Sequence, residues 1–167
     1  MIAANKKFKE VVGGISRGEE SLAESLLDLL AGGFVIDDGC AFLAALKTRG
    51  GNSRLDSFPD RTGYECFINS IHIDDYVASD FVLQACLFVE ALFGSWRGAE
   101  GTGCRKLQAI ISCDEFGAVV KFCLVRDGES WLSDNLEEYE EDILVADSLE
   151  RQLLTGGLEF LGIERGK

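Results

Sequence analysis

The 167-residue chain carries 29 Asp and Glu against 16 Lys and Arg, for a net charge of −13, and 47% of it is apolar. Neutralising a phosphate backbone takes clustered Lys and Arg, so this balance argues against a nucleic-acid partner. The length and apolar content suffice for one domain, residues 1–167, with a buried core. Met1–Glu10 lacks the apolar stretch of an export signal, so the expected compartment is the cytoplasm, where thiols stay reduced.

From the N-terminus, a short helix is expected around Lys6–Val12. Ser16-Arg-Gly-Glu19 is a capping box, in which the Ser oxygen and the Glu carboxylate satisfy free amides at a helix start. Leu22, Leu26, Leu29 and Leu30 follow at helical spacing, and Gly32-Gly33 ends that helix. After the apolar run Phe34–Ile36, a second helix is predicted from about Asp38. It carries Phe42, Leu43 and Leu46, and Lys47 and Arg49 complement its C-terminal dipole. Residues 50–63, rich in Gly, Asn, Ser and Asp, predict a long loop.

Glu65–Ile73 is rich in β-formers and predicts a strand, with Phe67, Ile71 and Ile73 on one face and Ser70 and His72 on the other. Ser79–Trp96 is apolar almost all round, the mark of a central buried helix, and Gly94–Gly103 then supplies a break. No stretch is long enough to span a bilayer, so no membrane partner is expected.

The clearest β pattern follows. Leu107, Ala109, Ile111 and Cys113 alternate, a turn runs through Asp114–Gly117, and Ala118, Val120, Phe122 and Leu124 alternate again. Asp127-Gly128 is a dipeptide suited to a type I′ turn, which predicts a third antiparallel strand over Glu129–Ser133. Glu141–Ala146 is either a fourth strand or the end of a helix starting at Asn135. Ser148–Leu154 predicts a last helix that stops at Gly156-Gly157. The expected fold is α+β, an antiparallel β-meander of three to five strands with helices against one face.

Chemistry-bearing constellations are sparse. His72 is the single histidine, and on one strand Cys66 would lie about 20 Å from it, out of reach for a nucleophile pair. Cys40, Cys86 and Cys113 remain open as spatial neighbours of His72. The six cysteines contain no Cys-x-x-Cys pair, so neither a zinc site nor another metal site is expected. Glu137–Asp142 does not match a calcium loop, and GAEGTG at Gly98–Gly103 lacks the Lys-Ser/Thr of a phosphate loop. No catalytic residue and no cofactor are expected.

The main feature is acid without compensating base. Asp127–Glu150 holds ten carboxylates and no Lys or Arg, with Trp131, Leu132, Leu136, Tyr139, Ile143, Leu144 and Val145 threaded among them. A purely acidic run is disordered, whereas apolar residues at this density predict a folded, strongly negative surface that steers a basic protein partner. The candidate partner-binding residues are Glu129, Trp131, Asp134, Glu137, Glu138, Tyr139, Glu140, Glu141 and Asp142. Trp and Tyr are suited to interface cores and the acids to partner choice. The competing expectation is a solvated face that serves solubility alone.

The segment Phe67–Ser148 combines FINSIHIDDY, a buried helix ending in SW, a two-strand hairpin and RDGESWLSDNLEEYEEDILVADS. In this it resembles the immunity proteins of bacterial toxin systems, such as contact-dependent growth inhibition and related polymorphic toxins. The resemblance implies a small, acidic, cytosolic, non-enzymatic protein that binds one cognate toxin domain, frequently a basic nuclease. It carries over no individual site residue. The alternative function is an acidic secretion chaperone for an effector protein, which would need an exposed apolar groove. A carboxylate- or cysteine-dependent enzyme is the third reading.

Overall fold

The computed structural model describes residues 1–15, 21–150 and 153. The predicted capping box at Ser16–Glu19 and the Gly156-Gly157 stop lie outside the described residues, as does most of the predicted final helix; Ser148 and Leu149 form a turn. The fold is α+β. Its frame is a five-stranded sheet in the order β1 (Ile2–Ala4), β7 (Asp142–Asp147), β5 (Leu107–Cys113), β6 (Ala118–Leu124), β4 (Ser70–His72), and every neighbouring pair is antiparallel. A hairpin of β2 (Phe34–Asp37) and β3 (Cys40–Leu43) stands beside it. The helices are α1 (Lys6–Gly13), α2 (Glu24–Ala31), α3 (Ala44–Arg49), α4 (Arg61–Ile68) and α5 (Phe81–Gly98).

Alternation in β5 and β6 divides their side chains between two faces. Leu107, Ala109, Ile111, Val120, Phe122 and Leu124 point into the main core with α5, whose Ala85, Cys86, Phe88, Leu92 and Phe93 have no exposed surface. Gly94 does not break α5: the helix runs to Gly98, and Trp96 in its last turn donates its indole N–H to the Arg105 carbonyl at 3.0 Å. The opposite face of the sheet carries a smaller cluster of Ile110, Cys123, Ile143 and Val145. The expected α+β fold with a sheet of three to five antiparallel strands holds, and this second face also needs a cover.

Other predictions are corrected. The helix expected from Asp38 is the β2–β3 hairpin, and α3 begins only at Ala44. Asp38 and Gly39 both take positive φ, 49° and 76°, as a type I′ turn demands. At Asp127-Gly128 only the glycine does so, with φ of 78°. That dipeptide makes no such turn, and Glu129–Ser133 is not a strand.

The strand expected over Glu65–Ile73 is helix α4 followed by the three-residue β4. Asp60 caps α4 by accepting the Gly63 amide at 2.6 Å. The cap outweighs the β propensities of Tyr64, Cys66, Phe67 and Ile68. Helical spacing puts Glu65 and Asn69 one turn apart, facing β3 and β6. Glu65, with no exposed surface, accepts the amides of Ala41 (2.6 Å) and Leu124 (3.0 Å). Arg126 grips the same carboxylate with both terminal guanidinium nitrogens, at 2.6 and 3.0 Å. Asn69, also buried, donates to the carbonyls of Ala41 and Phe122 and accepts the Leu43 amide. Two side chains of α4 thus join β3 to β6 where no strand ladder does.

A further correction concerns residues 125–141. Both β6 and β7 run antiparallel to β5, which lies between them, so β6 and β7 are parallel to each other. Parallel strands need a long crossover rather than a hairpin. The first part of the acidic window, up to Glu141, is that crossover, containing only a 3-10 turn at Leu136–Glu138 and no helix starting at Asn135; the strand alternative for Glu141–Ala146 holds, as β7. Its Leu132, Leu136 and Tyr139 pack on the second sheet face.

Replacing Arg126 with Leu should leave Glu65 buried without its counterion and cost about 3–5 kcal/mol. Asn69→Leu leaves backbone groups unpaired and should cost less, about 2–3 kcal/mol. Urea unfolding followed by circular dichroism checks both, and Arg126→Leu should lower the midpoint further.

Candidate functional site

The crossover arises from an inward and an outward set of residues. Leu132, Leu136 and Tyr139 turn inward, and full burial of one such aliphatic side chain contributes about 1.5–3 kcal/mol. Its local shape comes from short polar side chains. Asn135 caps the 3-10 turn by accepting the Glu137 amide at 3.3 Å, and the Tyr139 hydroxyl accepts the Ser133 amide at 2.8 Å. Glu138 accepts from the Ser133 hydroxyl (3.3 Å) and the Asn135 amide (3.1 Å).

The start of α1 holds the far end. Buried Asn5 donates to the Glu141 carbonyl at 2.8 Å, while its Oδ1 accepts the amides of Phe8 and Ile143. Lys6 N–H donates to the Glu137 carboxylate at 2.9 Å, and the Lys7 ammonium to the Glu140 carbonyl at 2.7 Å. At the near end Glu129 accepts both the amide and the hydroxyl of Thr62 at 3.0 Å, with Arg126 3.9 Å away. A carboxylate at the first turn of α4 satisfies a free amide and the positive end of the helix dipole.

The predicted partner-binding residues therefore divide. Asp134, Glu137, Glu138, Glu140 and Glu141 are exposed, and among the described residues none of the five forms an ion pair. Trp131 is 41% exposed, with the Lys121 ammonium 5.6 Å from its ring centre. Burial lowers the pKa of Lys121, whose ammonium also donates to the Ser70 hydroxyl at 2.7 Å. Glu129 is engaged with Thr62, Tyr139 is partly buried under the crossover, and half-buried Asp142 opens β7. The outward residues form one strongly negative surface on a backbone fixed at both ends. It suits binding to a cationic surface.

His72 is exposed at the end of β4, in a cleft of about 300 Å³ with Arg49, Phe67, Asp75 and Tyr76. Cys66 lies on α4, not on the same strand, so the strand-rise separation does not describe it. Cys40, Cys86 and Cys113 are buried in the main core. Among the described residues no three His, Cys, Asp or Glu side chains are grouped to hold a metal, and no helix is long and apolar enough to cross a membrane.

What the sequence does not reveal is the Glu65–Arg126 hub and the environment of the thiols. Cysteines 40, 66, 86, 113 and 123 are buried, Cys104 is exposed, and none is in a disulfide. Burial, with Glu65 nearby, pushes the Cys40 thiol up to about 11, and burial beside Asp142 and Asp114 pushes Cys113 up to about 12. A protonated, enclosed thiol is a poor nucleophile. A thiol-reactive chromogenic disulfide at neutral pH should accordingly consume one thiol, Cys104, quickly. In denaturant without reductant it should consume all six.

The described geometry lies almost wholly within a region shared with other proteins. A family model, that of the uncharacterized protein PM0498 family, matches residues 3–155. The chain is also 34% identical over 125 residues to uncharacterized protein PM0498 of Pasteurella multocida (strain Pm70), a match that spans 65% of this chain and 73% of that protein. No solved structure matches the chain. The family match takes in α4, Arg126 and the whole crossover, and the chain belongs to the uncharacterized protein PM0498 family.

Proposed function

We propose that this protein is a toxin-neutralising immunity protein that binds a basic toxin domain through its acidic crossover. The observation that carries this reading is the division of the crossover. Its apolar side chains and Glu129 hold it to the fold, while Asp134, Glu137, Glu138, Glu140 and Glu141 face solvent without ion-pair partners among the described residues. A flexible acidic run would lose conformational entropy on binding; a backbone fixed in advance loses less. Fixed negative charge raises the encounter rate with a cationic surface, and a half-exposed Trp131 beside it can enter a pocket once contact is made. The acids would take the place of phosphates in the groove of a nuclease-type toxin and so block its substrate.

The secretion-chaperone reading gains less support. It calls for a large exposed apolar groove, and α5, the most apolar helix, spends most of its side chains in the core.

Two measurements test the proposal. Co-expression with the product of the adjoining gene should yield a stable complex and relieve that product's toxicity; a toxin that kills equally with and without this protein would refute it. Within such a complex, changing Glu137, Glu138, Glu140 and Glu141 together to Gln should preserve the fold, since Gln keeps the acceptor that Glu137 offers Lys6. Association should slow by about 10-fold or more at low salt and lose most of its salt dependence, because exposed charges are screened within about 8 Å at physiological ionic strength. Surface plasmon resonance across a salt series reads both. Trp131→Ala should instead speed dissociation, with little effect on association.

A further inference from the structure

Two thiols lie together beneath the crossover. Cys66 of α4 has no exposed surface and Cys123 of β6 is 2% exposed, and both belong to the five-residue buried cluster on the second sheet face, where α4 packs against β6. The backbone beside each is clamped. Glu65, next to Cys66, accepts the amide of Leu124, next to Cys123; Asn69, one helical turn on from Glu65, donates to the carbonyl of Phe122 on the other side. The two sulfurs therefore have little freedom to part, and each is present to the other at a high effective concentration. Membership of one small buried cluster also puts both side chains on the same side of the sheet, a first requirement of disulfide geometry. Leu132, Leu136 and Tyr139 of the crossover close the cluster from outside. The pairing with Cys66 and burial raise the Cys123 pKa, so its thiol stays protonated while the cover is shut.

We propose that Cys66 and Cys123 are an oxidation site: they close a disulfide between α4 and β6 when the acidic crossover lifts and admits a peroxide. One thiol loses its proton and its sulfur attacks hydrogen peroxide, forming an S–O bond as the O–O bond breaks; the departing hydroxide takes the proton and leaves as water. The other sulfur then attacks the sulfenic acid. An S–S bond forms, the S–O bond breaks, and the second thiol proton leaves with that oxygen as another water. Two electrons pass from the thiols to the peroxide. The site does not depend on the partner proposed above; it depends on rare local opening of the crossover, which is otherwise held at both ends.

Folded protein carrying Cys104→Ser, which removes the exposed thiol, is treated with hydrogen peroxide, alkylated, digested without reductant and mapped by mass spectrometry. The expected product is one cross-linked peptide pair, Cys66 with Cys123, absent when Cys66→Ser is added. Its formation rate should follow the fraction of time the cover is open. Leu136→Ala, which removes packing from the cover, should then speed cross-linking about tenfold. Tyr139→Phe, which removes only the hydroxyl that accepts the Ser133 amide, should speed it about two- to fivefold. If Leu136→Ala fails to fold, as read by circular dichroism, Tyr139→Phe decides alone. Sulfinic or sulfonic acid at either cysteine without the cross-link would overturn the pairing. Unchanged rates in the folded variants would overturn the gating.

Discussion

The ion pair between Glu65 and Arg126 is the contact around which the rest of the described chain is placed. Taking a carboxylate and a guanidinium out of water costs several kcal/mol each unless other partners replace their hydration. Here such partners are present: Glu65 accepts two backbone amides and both terminal guanidinium nitrogens, and Arg126 also donates to the carbonyls of Gly39 and Leu124. Those partners come from β3, β6 and the β2–β3 turn. Satisfying one buried charge therefore fixes where α4 lies, where the hairpin docks and how the chain leaves β6. Every buried polar side-chain atom among the described residues has a partner, as an interior charge at this depth requires.

From Arg126 onward the chain must cross β5 to enter β7 parallel to β6. Crossovers of this kind are usually helices that lay an apolar stripe on the sheet. This one is irregular, and it meets the same need with three apolar side chains set among acids. Asn5 and Glu129 tie its two ends to α1 and α4. The arrangement links an unusual composition to an ordinary packing demand: the acids are tolerated because the inward positions are apolar, and they are exposed because the inward positions are taken. The same cover shuts the Cys66–Cys123 pair away from solvent, so the surface proposed for binding and the thiols proposed for oxidation share one structural element.

Local patterns in the sequence were legible where a single period dominates. Strict alternation marks β5 and β6, and an apolar surface all round marks α5, apart from one turn at its end. α1 and α2 follow the same logic. The misread elements share a cause, which is that local propensity was outvoted from a distance. The aromatic and β-branched residues of α4 favour a strand in isolation, but the Asp60 cap and the demands of β3 and β6 for Glu65 and Asn69 make the helix the better solution. The same Asp-Gly dipeptide occurs twice with different outcomes. At Asp38-Gly39 the flanking strands pair and impose positive φ on both residues; at Asp127-Gly128 the chain is held by Arg126 and Glu129 instead, and only the glycine takes it.

By itself the sequence determined the sign and concentration of the charge, the central helix, the β5–β6 hairpin and the apolar residues within the acidic window. Each follows from neighbours within a few positions, where periodicity and side-chain chemistry act directly. Tertiary structure alone decided that the window up to Glu141 is a crossover and that Glu129 faces inward while Glu138 and Glu140 face out. It also decided that Cys66 meets Cys123 and that Glu65 takes Arg126 as its counterion. These depend on chain segments far apart in sequence, Asn5 with Glu141 and Glu65 with Arg126 among them. No local pattern encodes which buried donor will meet which acceptor, because that is settled by satisfying all of them at once in a close-packed interior.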